Sequence, residues 1–276
     1  MRGCGSLHGL AMDRERLQRI RNFQSEDFYP ALFMRPLTIL VMLVIADWKF
    51  LTPNRLTTIA NVVKVAGAWA LLEHAWMWSV VLLNLGILFD HLDGTVARYR
   101  RTFTKLGSFY DKASDMITWW PITLAIGWVV YRETHDAYYL VLVTSATTAM
   151  NVRAYMKWLM QAESERLRWM QARVNPVDAV AKRTAPIVVK PPPVRTRAEW
   201  VRWFISRASH IIWFEEMDLW LWLSIGILIG RLDLVIWLFF ITQVAGCVFR
   251  IGSRMVEAAK LDRELAALEH GDKVAP

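Results

Sequence analysis

The stretch DHLDGTVAR (90–98), followed eight residues later by GSFYDKASD (107–115), decides how this chain is read. It sets four carboxylates, Asp90, Asp93, Asp111 and Asp115, within the most hydrophobic part of the molecule. An aspartate at the centre of a membrane helix costs about 2.5–3.5 kcal/mol or more, so four of them together point to a use. Asp90 and Asp93 lie three apart, with Gly94 and Ala97 continuing the same helical face at i+4 and i+7. Gly107, Asp111 and Asp115 are each four apart and form a second one-sided stripe. A short turn between the two stripes makes them neighbouring antiparallel helices whose acidic faces meet.

The surroundings are those of a membrane protein. Of 276 residues, 55% are apolar and 15 are Trp, and several stretches approach twenty apolar residues, the length that crosses a bilayer. The sequence predicts an all-α polytopic protein with six spans at roughly 54–74, 76–98, 107–130, 136–157, 210–230 and 232–251. Residues 36–47 are apolar but short, and with charged MDRERLQRIR (12–21) upstream the region to 50 reads as an interfacial amphipathic helix leading into Pro53. The expected organisation is an N-terminal cytoplasmic and interfacial segment 1–52, a six-helix membrane domain 53–252 with a cytoplasmic loop at about 158–207, and a charged cytoplasmic tail 253–276. Within that loop, 157–173 reads as a helix leaving the membrane, and the five prolines of NPVDAVAKRTAPIVVKPPPVRTR (175–197) as an irregular excursion. The start of the chain turns charged before any apolar core and does not read as a signal peptide, with Met12 as an alternative start.

A net charge of +8 invites a nucleic-acid reading, but the basic residues fall between hydrophobic stretches without an aromatic-basic module around them. They follow the positive-inside pattern instead. The short connections at 73–76, 131–136 and 230–233 hold only Arg132 and Arg231, whereas the other side carries Arg98, Arg100, Arg101, Lys105 and a loop with ten Lys or Arg. Both termini and the acidic site are therefore expected to face the cytoplasm, with membrane lipids rather than nucleic acid as partners. Cys4 and Cys247 are far apart and form neither a disulfide framework nor a zinc site.

Four close carboxylates repel one another unless protonated or sharing cations. Clusters of hard oxygen ligands suit Mg²⁺ or Mn²⁺, and two such ions can be bridged by aspartates from opposing helices. Small residues at 94, 97 and 107 leave room for a diphosphate or nucleoside, and Arg98 offers a fork-shaped partner for phosphate. On the preceding helix, Asn54, Thr57, Asn61 and Lys64 fall three to four apart, and Asn54 and Thr57 are expected to face the nucleotide. Arg153, carried into the fourth span, is a candidate contact for an anionic donor or acceptor. Glu215, Glu216 and Asp218 either greet a polar head group or sit at the interface. His91 reads as packing, not as a ligand.

Asp90, Asp93-Gly94-x-x-Ala97-Arg98 and Gly107-x-x-x-Asp111-x-x-x-Asp115 together resemble the full signature of the CDP-alcohol phosphotransferase family, and Pro53-Asn54 resembles its usual entry to the first helix. The signature covers only 90–115, while the six-span plan extends the resemblance to about 50–252. The resemblance implies that Asp90, Asp93 and Asp111 bind one divalent ion, that Asp90, Asp111 and Asp115 surround a second, and that Gly94, Ala97, Arg98 and Gly107 line the cytidine-diphosphate site. It implies Asp115 as the general base that deprotonates an acceptor hydroxyl, with CMP released, in a homodimer of a prokaryotic cytoplasmic membrane. The donor is then a CDP-diacyl lipid with a small polar alcohol or phosphorylated alcohol as acceptor, or a soluble CDP-alcohol with a diacylglycerol-like lipid as acceptor. A membrane transporter with an acidic cation site is the non-enzymatic alternative; it should carry polar breaks near mid-membrane, and the acidic site lies toward one face. Tyr155 and Met116 stand where the inositol-phosphate-using members have basic residues, and DKASD (111–115) lacks the His-Gly pair of the choline and ethanolamine branch.

Overall fold

A computed structural model describes residues 16–17, 19–21, 29–174, 196–211 and 218–269. They form an all-α, largely membrane-associated protein. A π-helical turn, Pro30–Met34, leads into α1 (Arg35–Ile45), followed by α2 (Pro53–Leu72), α3 (Trp76–Arg100), α4 (Lys105–Thr134), α5 (Tyr138–Val174), α6 (Arg197–Ile211), α7 (Leu219–Ile229) and α8 (Leu232–Glu269). By length and composition, Trp76–Arg100 and the Leu232–Ala266 part of α8 are long and apolar enough to cross a membrane.

The chain divides into two compact units, residues 1–147 with 206–241, and residues 148–205 with 242–276. In the first unit, α2 is wedged against both α3 and α4. Its approach to α3 is close because Gly67 and Gly86 remove bulk from the seam: a Cβ at Gly67 would meet Leu83 at 2.8 Å, and one at Gly86 would meet the Lys64 stem at 2.5 Å and the Ala60 carbonyl at 3.1 Å. Thr52 caps α2 by accepting from the Arg55 amide at 3.3 Å, with Pro53 in the first turn where its missing N–H costs nothing.

Two helix ends set the turn that aligns the acidic stripes. Arg101 closes α3 in the left-handed region (φ 55°), and the Thr102 amide reaches back to the Ala97 carbonyl at 3.0 Å. Thr104 then caps α4 by accepting from the Gly107 amide at 2.9 Å. Arg100, counted above as an orienting surface charge, spends its guanidinium on backbone: it donates to the carbonyls of Ile45, Ala46, Trp48 and Leu51 at 2.6–3.3 Å. These carbonyls belong to the end of α1 and the following turn, where Ile45 and Trp48 also accept the amides of Trp48 and Leu51 at 3.0 Å. Apolar packing completes the joint, with Met42, Ile45 and Ala46 buried against Leu56, Leu92 and Val96.

A separate polar belt ties the π-helical turn to α3 and α7. Tyr29 donates its hydroxyl to Asn84, and Asn84 donates to Ser224 at 2.9 Å and to the Val80 carbonyl at 2.7 Å. Asp218, placed among head-group candidates by its sequence position, is instead fully buried and accepts the Tyr29 amide at 2.8 Å. Glu215 and Glu216 lie outside the described residues.

The helices differ from the sequence reading mainly in length. α5 and α8 run to Val174 and Glu269, well past the apolar stretches that begin them, so the helix expected at 157–173 is a direct continuation of the one before it. The segments after each apolar stretch are rich in Ala, Glu, Lys, Arg, Leu and Gln, which propagate a helix as well in water as in lipid. The proline-rich run from 175 to 195 lies outside the described residues.

Candidate acidic metal and diphosphate site

α3 and α4 present their aspartates to the same space. One carboxylate oxygen from each of Asp90, Asp93 and Asp111 lies within 4.8 Å of the others, which makes the trio a candidate divalent-cation site. Mg–O contacts are about 2.0–2.1 Å, so a triangle of that size needs only modest side-chain rotation to close on an ion. The ligand set is all carboxylate, hard and anionic, and suits Mg²⁺ or Mn²⁺ better than a soft metal. Asp115 stands one turn further along α4, outside the trio.

α2 supplies a polar ladder opposite these carboxylates, from Asn54 through Thr57 and Asn61 to Lys64. At its start, Asn54 Oδ1 lies so near Gly107 that a Cβ there would come within 3.0 Å, while the Thr104 cap stands at 2.9 Å on the other side. Glycine at 107 therefore lets the Asn54 side chain of α2 and the Thr104 cap approach α4 closely. Thr57 is buried and donates to Asp93 Oδ2 at 2.5 Å, orienting that carboxylate. Asn61 accepts from Thr118 at 3.1 Å. At the far end, the Lys64 ammonium donates to Asp90 Oδ1 at 3.1 Å and to Asp115 Oδ1 at 3.3 Å, with its side chain only 6% exposed. Sequence reasoning noted Lys64 in the periodic series but gave it no role. The signal lay in its position two turns beyond Thr57 on the same face, the reach at which a lysine meets the upper pair of aspartates.

The remaining expected site residues divide between the two units. At Gly94 the Arg98 guanidinium packs close to the backbone, 3.2 Å from where a Cβ would lie, and Arg98 donates to Thr95 Oγ1 at 3.1 Å. Ala97 is buried on the same helix. His91 is outside the acidic trio. Arg153 belongs to the second unit, where it donates to Gln243 at 2.6 Å and lies against Gly246, so close that a Cβ there would meet its guanidinium at 3.1 Å.

The sequence has known counterparts. Residues 50–206 match the model of the CDP-alcohol phosphatidyltransferase family. The chain is 36% identical over 110 residues to a phosphatidylinositol phosphate synthase of Corynebacterium glutamicum, covering 38% of this chain and 49% of that one. It is 30% identical over 119 residues to one of Mycobacterium marinum, covering 43% and 50%. The chain thus spans about half the length of the curated relatives it matches. The crystal structure of Mycobacterium tuberculosis phosphatidylinositol phosphate synthase with CDP-DAG bound is similar at a TM-score of 0.48 and 17% identity, over 81% of this chain and 94% of that one. With more than half of its residues matched by the family model, and the acidic stripes of that match brought face to face, the chain belongs to the CDP-alcohol phosphatidyltransferase family.

Proposed function

We propose that this protein transfers a phosphatidyl group from a CDP-diacyl lipid to the hydroxyl of a small polar alcohol or phosphorylated alcohol and releases CMP. The observation that carries this reading is the convergence of Asp90, Asp93 and Asp111 from two facing helices, with Asp115 one turn beyond. The names of the two curated relatives support a phosphorylated acceptor. Tyr155 and Met116 keep the acceptor class broader than inositol phosphate.

In this reading Asp115 accepts the proton of the acceptor hydroxyl, a group too weakly acidic to attack unaided at neutral pH. The freed oxygen forms a bond to the phosphorus farther from cytidine, the bond from that phosphorus to the bridging oxygen breaks, and its electron pair leaves with CMP. Asp90, Asp93 and Asp111 hold one divalent ion, and Asp90, Asp111 and Asp115 face the position of a second. Bound there, Mg²⁺ or Mn²⁺ neutralises charge on the attacking and leaving oxygens. Gly94, Ala97 and Gly107 give the diphosphate room, Arg98 forks onto a phosphate, Asn54 and Thr57 border the nucleotide, and Arg153 meets an anionic portion of donor or acceptor.

The proposed setting is a membrane domain of six spanning helices at 53–252, flanked by an interfacial segment (1–52) and a charged tail (253–276). Both termini and the acidic site face the cytoplasm of a prokaryotic cell, and the protein is a homodimer. Purified protein with Mg²⁺ or Mn²⁺ and a panel of CDP-lipids, CDP-alcohols and acceptors should release CMP only from a CDP-lipid with a matched polar alcohol, and chelation should stop it. CMP release from a soluble CDP-alcohol with diacylglycerol would reverse the assignment of donor and acceptor.

A further inference from the structure

Lys64 is the one cation among the described residues shown bridging two of the four aspartates, and it joins Asp90 to Asp115. Those two are among the three carboxylates, with Asp111, that the proposed second ion would share, while the trio able to hold a first ion excludes Asp115. The ammonium is not a stray surface group. Its stem passes over Gly86, where any larger residue would collide with it at 2.5 Å, and its head lies 6.0 Å from the centre of the Trp220 ring, within reach of a cation–π attraction. Trp220 is itself fixed by stacking on Trp119 at 4.6 Å. The seam between α2 and α3 is thus shaped around this side chain, and the carboxylates it meets are 8% and 23% exposed.

Charge balance agrees with the geometry. Four carboxylates are offset by Lys64, by Arg98 one turn beyond Gly94, and by one divalent ion. A second divalent ion at Asp90 and Asp115 would sit against a buried ammonium, a like-charge contact that a low-dielectric site penalises heavily.

We infer that Lys64 occupies the place of one of the two divalent ions in the substrate-free protein, so that the site takes a single divalent cation at Asp90, Asp93 and Asp111. The inference rests on the metal-dependent reading proposed above and narrows it. Lys64 is then a positioning residue: it offsets the repulsion between Asp90 and Asp115 and sets how many metal ions the site accepts.

The test counts Mn²⁺ bound to the full-length, detergent-solubilised protein by electron paramagnetic resonance, without nucleotide or lipid substrate. Wild type should bind one Mn²⁺ per chain, and Lys64→Met, which keeps the stem against Gly86 but removes the charge, should bind two. Two ions on wild type would overturn the inference while leaving the proposed transferase intact. One ion on both proteins would overturn it as well, since Lys64 would not be what excludes the second. No Mn²⁺ on wild type would overturn both this inference and the metal-dependent reading beneath it. If Lys64→Met fails to fold, Lys64→Gln, which also removes the charge, takes its place in the count, two ions supporting the inference and one overturning it.

Discussion

Two sets of polar side chains lie among the apolar helices of the first unit, and they are built on opposite principles. In the Tyr29–Asn84–Ser224 belt, donors meet acceptors in sequence: a hydroxyl gives to an amide oxygen, and the amide gives to a hydroxyl and a carbonyl. Nothing more is asked of that belt, and it acts as a fastener between the π-helical turn, α3 and α7. Around Asp90, Asp93, Asp111 and Asp115 the carboxylates outnumber the one ammonium that bridges them. A buried network that balances itself stabilises a fold, whereas one with surplus charge of one sign is completed only by something that binds.

The contrast is sharpened most by Asp115→Asn. Losing the proposed general base should lower CMP release by about 10²–10⁴-fold while CDP-lipid binding persists, and retained turnover would remove Asp115 from that role. Next comes Thr57→Val, which keeps size but withdraws the hydrogen bond that orients Asp93. Loss of such a supporting group should weaken Mn²⁺ affinity by about 10–100-fold, read by titration rather than by activity. Gly86→Ala tests the seam beneath Lys64. Its added methyl should destabilise the protein by about 1–3 kcal/mol through overpacking, seen as a lower unfolding temperature in detergent. The smallest effect is expected from Asn84→Leu in the belt. Intramembrane hydrogen bonds average about 0.6 kcal/mol, so stability should fall slightly and CMP release should be unchanged; a large loss of turnover would erase the distinction between the two networks.

Much of the acidic site is legible in sequence because helical periodicity alone places residues three, four and seven apart on one face. Asp90, Asp93, Asp111 and their small neighbours needed only that rule. Lys64 did not follow from it, because its function depends on how far a flexible stem reaches across a helix seam that Gly86 opens, a relation between positions 22 residues apart. Asp218 misled for a related reason: it stands in a sequence of interfacial type, yet its hydrogen bond runs to the Tyr29 amide across 189 positions. The ends of α5 and α8 were hidden because loss of hydropathy marks the edge of the lipid, while a helix ends only where its residues or caps stop it.

The joint made by Arg100 has a consequence for how this protein tolerates change. Every bond it makes to α1 and the turn beyond lands on a backbone carbonyl, which all residue types possess. As far as these bonds are concerned, Ile45, Ala46, Trp48 and Leu51 are interchangeable with other residues that keep the same backbone path, whereas a lysine at 100 has one nitrogen to offer where the guanidinium has three. The specification of the joint is therefore one-sided. What these bonds demand of the segment ahead of α2 is its backbone path, apart from the apolar side chains of Met42, Ile45 and Ala46 that pack the joint, and the anchor is written ten residues from Asp90, on the helix that bears the acidic site.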